Sequence, residues 1–215
     1  MKKIILGAFL MLFSCKENTN PTDKTPAQNK TESTPIMQIK LPYTSDDVKK
    51  YYKADSDSTI YLFNQEKVKL NKFSSELTSL LIKENDFEIK PKSTDKYAIL
   101  EAVDFSNEIS CKVIIYNTFG ENDSKILNIQ LNSYKKNKLV DQLLLDCRFT
   151  FEIQYYRTFS INKDETIDIT KYSINRLEYS ENGDIIGEKK NPEINKEKVI
   201  YKIDIEGKFI KNGNR

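Results

Sequence analysis

The chain has 215 residues, 31% charged and 38% hydrophobic, the balance of a folded domain with a polar surface. Its formal charge of +2 rests on Lys2 and Lys3, since residues 1–14 hold no acidic group and the rest carries as many basic as acidic side chains; such neutrality leaves no field to steer the chain onto nucleic acid. Histidine is absent, which excludes Ser–His–Asp and Cys–His catalysis and removes the commonest metal ligand, and the six glycines form no phosphate-binding cluster.

Met1-Lys2-Lys3 is a short positive segment, and Ile4 to Phe13 is an almost unbroken apolar run of ten residues. A permanent membrane helix needs about 20 residues to cross roughly 30 Å of hydrocarbon, so this run fits a cleaved secretion signal. The chain turns polar at Lys16-Glu17-Asn18. Leu12-Phe13-Ser14-Cys15 resembles the lipobox of bacterial lipoproteins. The resemblance implies cleavage between Ser14 and Cys15, diacylglycerol on the Cys15 thiol and an acyl group such as palmitate on its new amine. The membrane is then the expected partner, held by two or three acyl chains where one would bind only marginally. Lys16 stands where the enterobacterial rule puts Asp for inner-membrane retention. The expected location is therefore the cell envelope, at the outer membrane, with the periplasmic face and the cell surface both open.

Residues 15–40 read as a disordered tether, rich in Asn, Thr, Lys and Ser with prolines at 21, 26 and 35. Residues 41–215 read as one β domain. Ser45-Asp46-Asp47, followed by Val48, Tyr51 and Tyr52, fits one short capped helix. Phe73 to Ile82 fits a helix by its Leu77, Leu80 and Leu81 spacing or a strand by its flanking turns, and strand is the preferred reading. Tyr97–Phe105, Cys111–Tyr116 and Leu127–Leu131 alternate as strands with one buried face. Phe149 to Ile161 alternates over thirteen residues and predicts one long strand, and Val199–Ile205 repeats the pattern. Asn182-Gly183 suits a type I′ hairpin. Glu206-Gly207, Gly120–Ser124, Lys135–Asn137 and Asn162–Glu165 mark further turns. Links this short join antiparallel neighbours. The expected fold is mainly β: a single antiparallel β-meander, either a curved open sheet or barrel-like, with one short N-terminal helix. In outline this resembles the small β-rich lipoproteins of Bacteroidota.

Four groups of residues invite a chemical reading. Cys111 and Cys147 would sit in an oxidising compartment, where a bridge over about 37 residues would contribute roughly 3–4 kcal/mol. Three hairpin reversals place them about 20 Å apart, so two buried thiols are preferred. Glu101 and Arg157 interrupt apolar parities and either pair inside, line a pocket, or sit where their strands pass the core edge. Asp55-Ser56-Asp57-Ser58-Thr59 begins like a calcium loop, but Ile60 stands where Gly is needed and Tyr61–Phe63 reads as strand. Asp57-Ser58-Thr59 also resembles a Bacteroidota O-glycosylation acceptor. No metal or other cofactor is expected. The expectation is a non-catalytic, membrane-tethered structural or interaction module. The alternative is a lipocalin-like carrier, if the meander closes around a small apolar ligand.

Overall fold

The computed structural model describes residues 37–213 except 56–60, 65, 73, 75–79, 93–94, 107 and 121–123. Cys15, Ser14, the Asp57-Ser58-Thr59 acceptor and most of Phe73–Leu81 lie outside the described residues. Six short strands come first: β1 Met37–Gln38, β2 Tyr43–Thr44, β3 Tyr52–Ala54, β4 Tyr61–Phe63, β5 Asn71–Lys72 and β6 Ile82–Lys83. Eight strands then follow in order: β7 Lys96–Asp104, β8 Ile109–Phe119, β9 Lys125–Lys135, β10 Lys138–Thr150, β11 Ile153–Ile161, β12 Thr166–Tyr179, β13 Ile185–Ile203 and β14 Phe209–Lys211. Each of these eight pairs with its neighbour in sequence, so they form an antiparallel meander.

β1 pairs parallel to β7 and is one edge of the sheet, and β14 is the other. Met37–Ile39, in the segment that reads as tether by sequence, are thus bonded to β7. The sheet is open and does not close into a barrel. Between its two halves lies a packed core, formed by Val113 and Ile115 of β8, Leu127, Ile129 and Leu131 of β9, and Leu143 and Leu145 of β10 against Phe159, Ile161, Ile167, Ile169, Val199, Tyr201 and Phe209. These side chains occupy the interior that an enclosed ligand would need.

Among the described residues the one α-helix, α1 Ser45–Val48, is short, as expected, and Thr44 caps it. Thr44 and Asp47 form a reciprocal capping box, which satisfies two donors at the helix start. The Ser45 hydroxyl, not needed as a cap, accepts the backbone N–H of Phe159 at 2.6 Å and so pins the helix to β11.

Two readings of the strands change. Phe149–Ile161 is not one strand: the chain reverses at Phe151-Glu152, and Phe149 pairs directly with Tyr155 across the corner. Paired residues share a face, so the alternation passes through the reversal without a break. On β9, Asn128, Gln130 and Asn132 are as fully buried as Leu127, Ile129 and Leu131, and Ile82 and Ile89 pack on the same face beside their β10 partners. Hydrogen bonds to neighbouring side chains satisfy much of this buried polarity. Tyr116 Oη donates to Gln130 Oε1 at 2.8 Å, Gln130 Nε2 to Asn132 Oδ1 at 2.6 Å, and Asn128 Nδ2 to Thr118 Oγ1 at 2.9 Å.

The turns also depart from expectation in type. At Asn182-Gly183 only Gly183 has positive φ, and Gly183 N–H donates to Ser180 O, a type I turn closed by a bulge. Asn162–Thr166 and Asp204–Lys208 repeat it, with Glu165 and Gly207 in the left-handed position. Both central residues are left-handed instead at Lys136-Asn137, φ 49° and 64°, which joins β9 to β10.

Candidate functional site

β10 and β11 pair only at Phe149–Thr150 with Gln154–Tyr155 and then part, leaving a wedge. Backbone groups on its edges would be orphaned there, and side chains satisfy them. Asp146 Oδ1 accepts Arg157 N–H at 2.7 Å, and the Arg157 guanidinium donates to Leu144 O at 3.0 Å, Glu84 O at 2.8 Å and Asp86 Oδ2 at 3.0 Å. Arg157 thus ties β10 to β11 and to the turn after β6. Asp146 is fully buried and also pairs with Arg148, whose guanidinium lies over the rings of Tyr52, Tyr61 and Tyr156. Burial pushes the Asp146 carboxyl above its ordinary range, against the pull of Arg148.

The register extends this arrangement across the sheet. On the core face, the rows Ile161–Ile167–Tyr201 and Phe159–Ile169–Val199 are apolar. The next row is Arg157–Lys171–Glu197, and the one after it is Tyr155–Ser173–Asn195. Where the apolar rows give way to polar ones the core opens into a cleft of about 290 Å³, walled by Asp86 and Phe87. Phe87 meets Phe149 and Tyr155 edge to face at 4.9 Å each, and remains 40% exposed.

The charges beside the cleft are matched. Lys171 Nζ lies 2.6 Å from Glu84, 2.7 Å from Asp86 and 3.8 Å from Glu197, and Lys211 lies 2.9 Å from Glu84. Tyr201 Oη also donates to Glu84. Burial alone would raise the Glu84 pKa, but the hydrogen bonds from Lys171, Tyr201 and Lys211 outweigh it and hold Glu84 down at about 2. Glu84 has φ 57°, the left-handed region, so these partners also hold a backbone conformation unusual for Glu.

Glu101 and Arg157 are both inside, but they do not pair. Tyr51 Oη donates to Glu101 at 2.7 Å and Lys50 Nζ lies 3.2 Å away, while Arg157 bonds the groups named above. Neither runs past the core edge, as both are over nine-tenths buried. A bulge between Ile99 and Glu101 turns the carboxylate inward; the sequence pattern hides that shift. Glu84, Asp86, Asp146, Arg148 and Lys171 were not singled out by sequence. The one available signal was Lys171, which continues the parity of Ile167 and Ile169 as Arg157 continues that of Ile161 and Phe159.

Cys111 and Cys147 are free and buried. They pack in different clusters, Cys111 in the main core and Cys147 with Ile82, Ile89 and Phe149 on the opposite face. Burial pushes both thiols well above their ordinary pKa. A Cys15→Ala chain titrated with a thiol reagent should therefore show no fast-reacting thiol when native and two per chain when unfolded, with or without reductant. A reductant requirement in the unfolded titration would mean a bridge.

Among the described residues no three His, Cys, Asp or Glu side chains gather as a metal site, and no helix is long and apolar enough to cross a membrane. Fold and cleft together define an open, antiparallel β-sheet protein with a recessed polar site where the sheet turns its corner. Comparison with protein families, with characterised proteins and with solved structures finds no match.

Proposed function

We propose that this chain is a lipid-anchored protein of the cell envelope whose β domain binds a partner or ligand and catalyses nothing. The anchor is Cys15 of the Leu12–Cys15 lipobox, and the outer membrane is its destination. The observation that carries the binding role is the recessed cleft itself, an aromatic wall at Phe87 beside the polar Ser173 and Asn195, with Arg157 and Lys171 committed to carboxylates. A rigid apolar wall with a few placed polar groups is the make-up of a ligand-binding site.

Labelled palmitate fed to cells expressing the full chain should enter the wild-type protein and leave Cys15→Ala unlabelled, with the variant released from the membrane fraction. Equal labelling of the two would overturn the anchor. A second reading, carriage of a small apolar ligand, draws on a groove of about 610 Å³ lined by Phe105, Ile109, Ile203, Ile205 and Ile210. Stoichiometric uptake of a fluorescent fatty acid there would favour it.

A further inference from the structure

We infer that the cleft between the Glu84–Ile89 segment and the Tyr155–Ser173–Asn195 row is a binding site for a neutral saccharide. The inference deepens the binding role proposed above and does not depend on the lipid anchor.

Charge comes first. The recessed cations of the cleft are paired, Arg157 with Asp86 and Lys171 with Glu84, Asp86 and Glu197, while Lys196 at the exposed rim lies over the Tyr172 ring. An anionic ligand would have to break one of these recessed pairs or rest on Lys196 at the rim alone, and a cationic ligand would meet Arg157 and Lys171. A neutral ligand disturbs neither.

Hydrogen-bonding capacity comes second. Among the described residues Ser173 and Asn195 make no side-chain hydrogen bond, and they line the cleft as cross-strand partners, Ser173 half-buried and Asn195 exposed. The hydroxyl and the amide offer donors and acceptors together, and the half-exposed carboxylates of Asp86 and Glu197 add acceptors at the rim. A vicinal diol, with a donor and an acceptor on each oxygen, complements that mixture.

Shape and polarity come third. Phe87 presents an exposed ring at the mouth, braced edge to face by Phe149 and Tyr155 so that its orientation is fixed before any ligand arrives. The C–H face of a pyranose carries small positive charge toward the electron-rich face of such a ring. A rigid aromatic wall beside a few placed polar groups is the usual make-up of a small-ligand pocket, here suited to a ligand with one apolar face and a hydroxylated edge. The volume of about 290 Å³ admits one or two sugar units and leaves a longer chain to run out along the open sheet.

The test uses the full-length protein in a polyoxyethylene detergent, which carries no sugar headgroup. Maltotetraose, cellotetraose and chitotetraose are the neutral probes and tetragalacturonate the anionic one, each titrated to about 5 mM by calorimetry and by saturation transfer from protein to ligand protons. At least one neutral probe should bind with a dissociation constant of about 0.1–1 mM. Phe87→Ala should weaken it by about tenfold or more. Asn195→Ala, at an exposed position where folding is not at stake, should weaken it about fivefold. The inference is overturned if no neutral probe binds, if only tetragalacturonate binds, or if binding is unchanged in both variants. A failed palmitate experiment with saccharide binding intact would remove the anchor alone; the reverse result would remove this ligand alone.

Discussion

Replacing Arg157 with Met should cost the domain about 3–5 kcal/mol, the largest loss expected of any single polar substitution here. Met fills similar volume, so the loss measures the guanidinium. Without it the carbonyls of Leu144 and Glu84 lose their donor inside the wedge, and Asp86 loses one of its two cations. A buried acceptor left unpaired costs about 1–3 kcal/mol, and two of them fall together. Arg157→Lys should recover little, because one ammonium cannot span a carbonyl on β10, a carbonyl in the turn after β6 and a carboxylate as a planar fork does. Urea unfolding followed by far-UV circular dichroism measures the difference. A loss under about 1 kcal/mol for Met would show that β10 and β11 hold together without this tie.

Acid should unfold the protein earlier than its composition suggests, and Glu84→Gln should remove much of that sensitivity. The folded pKa of Glu84 is about 2, below the roughly 4.3 of an unfolded chain. A depressed carboxylate contributes stability that is fully present above the unfolded pKa and drains away as pH falls through the folded one. The window is therefore about pH 5 down to 2. Lys211 is half exposed, so screening reduces the contribution to about 1–2 kcal/mol. The Gln variant should start less stable at pH 6 and lose about that much less between pH 5 and 2.5. Parallel pH curves for wild type and variant would show that Glu84 is not the acid-sensitive group.

The class of the fold was legible because alternation with a period of two survives in any sheet. The meander from β7 to β14 follows directly from it and from the short turns. What alternation could not convey is what lies against each face. Asn128, Gln130 and Asn132 read as solvent-facing because polar residues alternating with Leu and Ile usually are; Ile82 and Ile89, from a segment well upstream in the chain, pack on the same face beside their β10 partners. The corner at Phe151-Glu152 has no Gly, Pro or Asn to announce it, so two strands read as one. Arg157 was visible as an anomaly, but its partners came from β10 and from the turn after β6, and register with Lys171 and Glu197 exists only once the strands are paired. A charge on an apolar parity is a readable signal, whereas the identity of its counter-charge is not.

The long β13 has one further consequence. Among the described residues it meets β14 only at Tyr201–Ile203, so from Ile185 to Lys198 its outer side has no neighbouring strand. Bare backbone of that length is a template on which identical molecules stack into fibrils. Pro192 interrupts the row of donors midway, and the stretch is dense in solvated charge, with Lys189, Lys190, Lys196 and Lys198 among Glu188, Glu193 and Glu197. Many copies crowded side by side can therefore stay separate, each with its longest seam closed to the others.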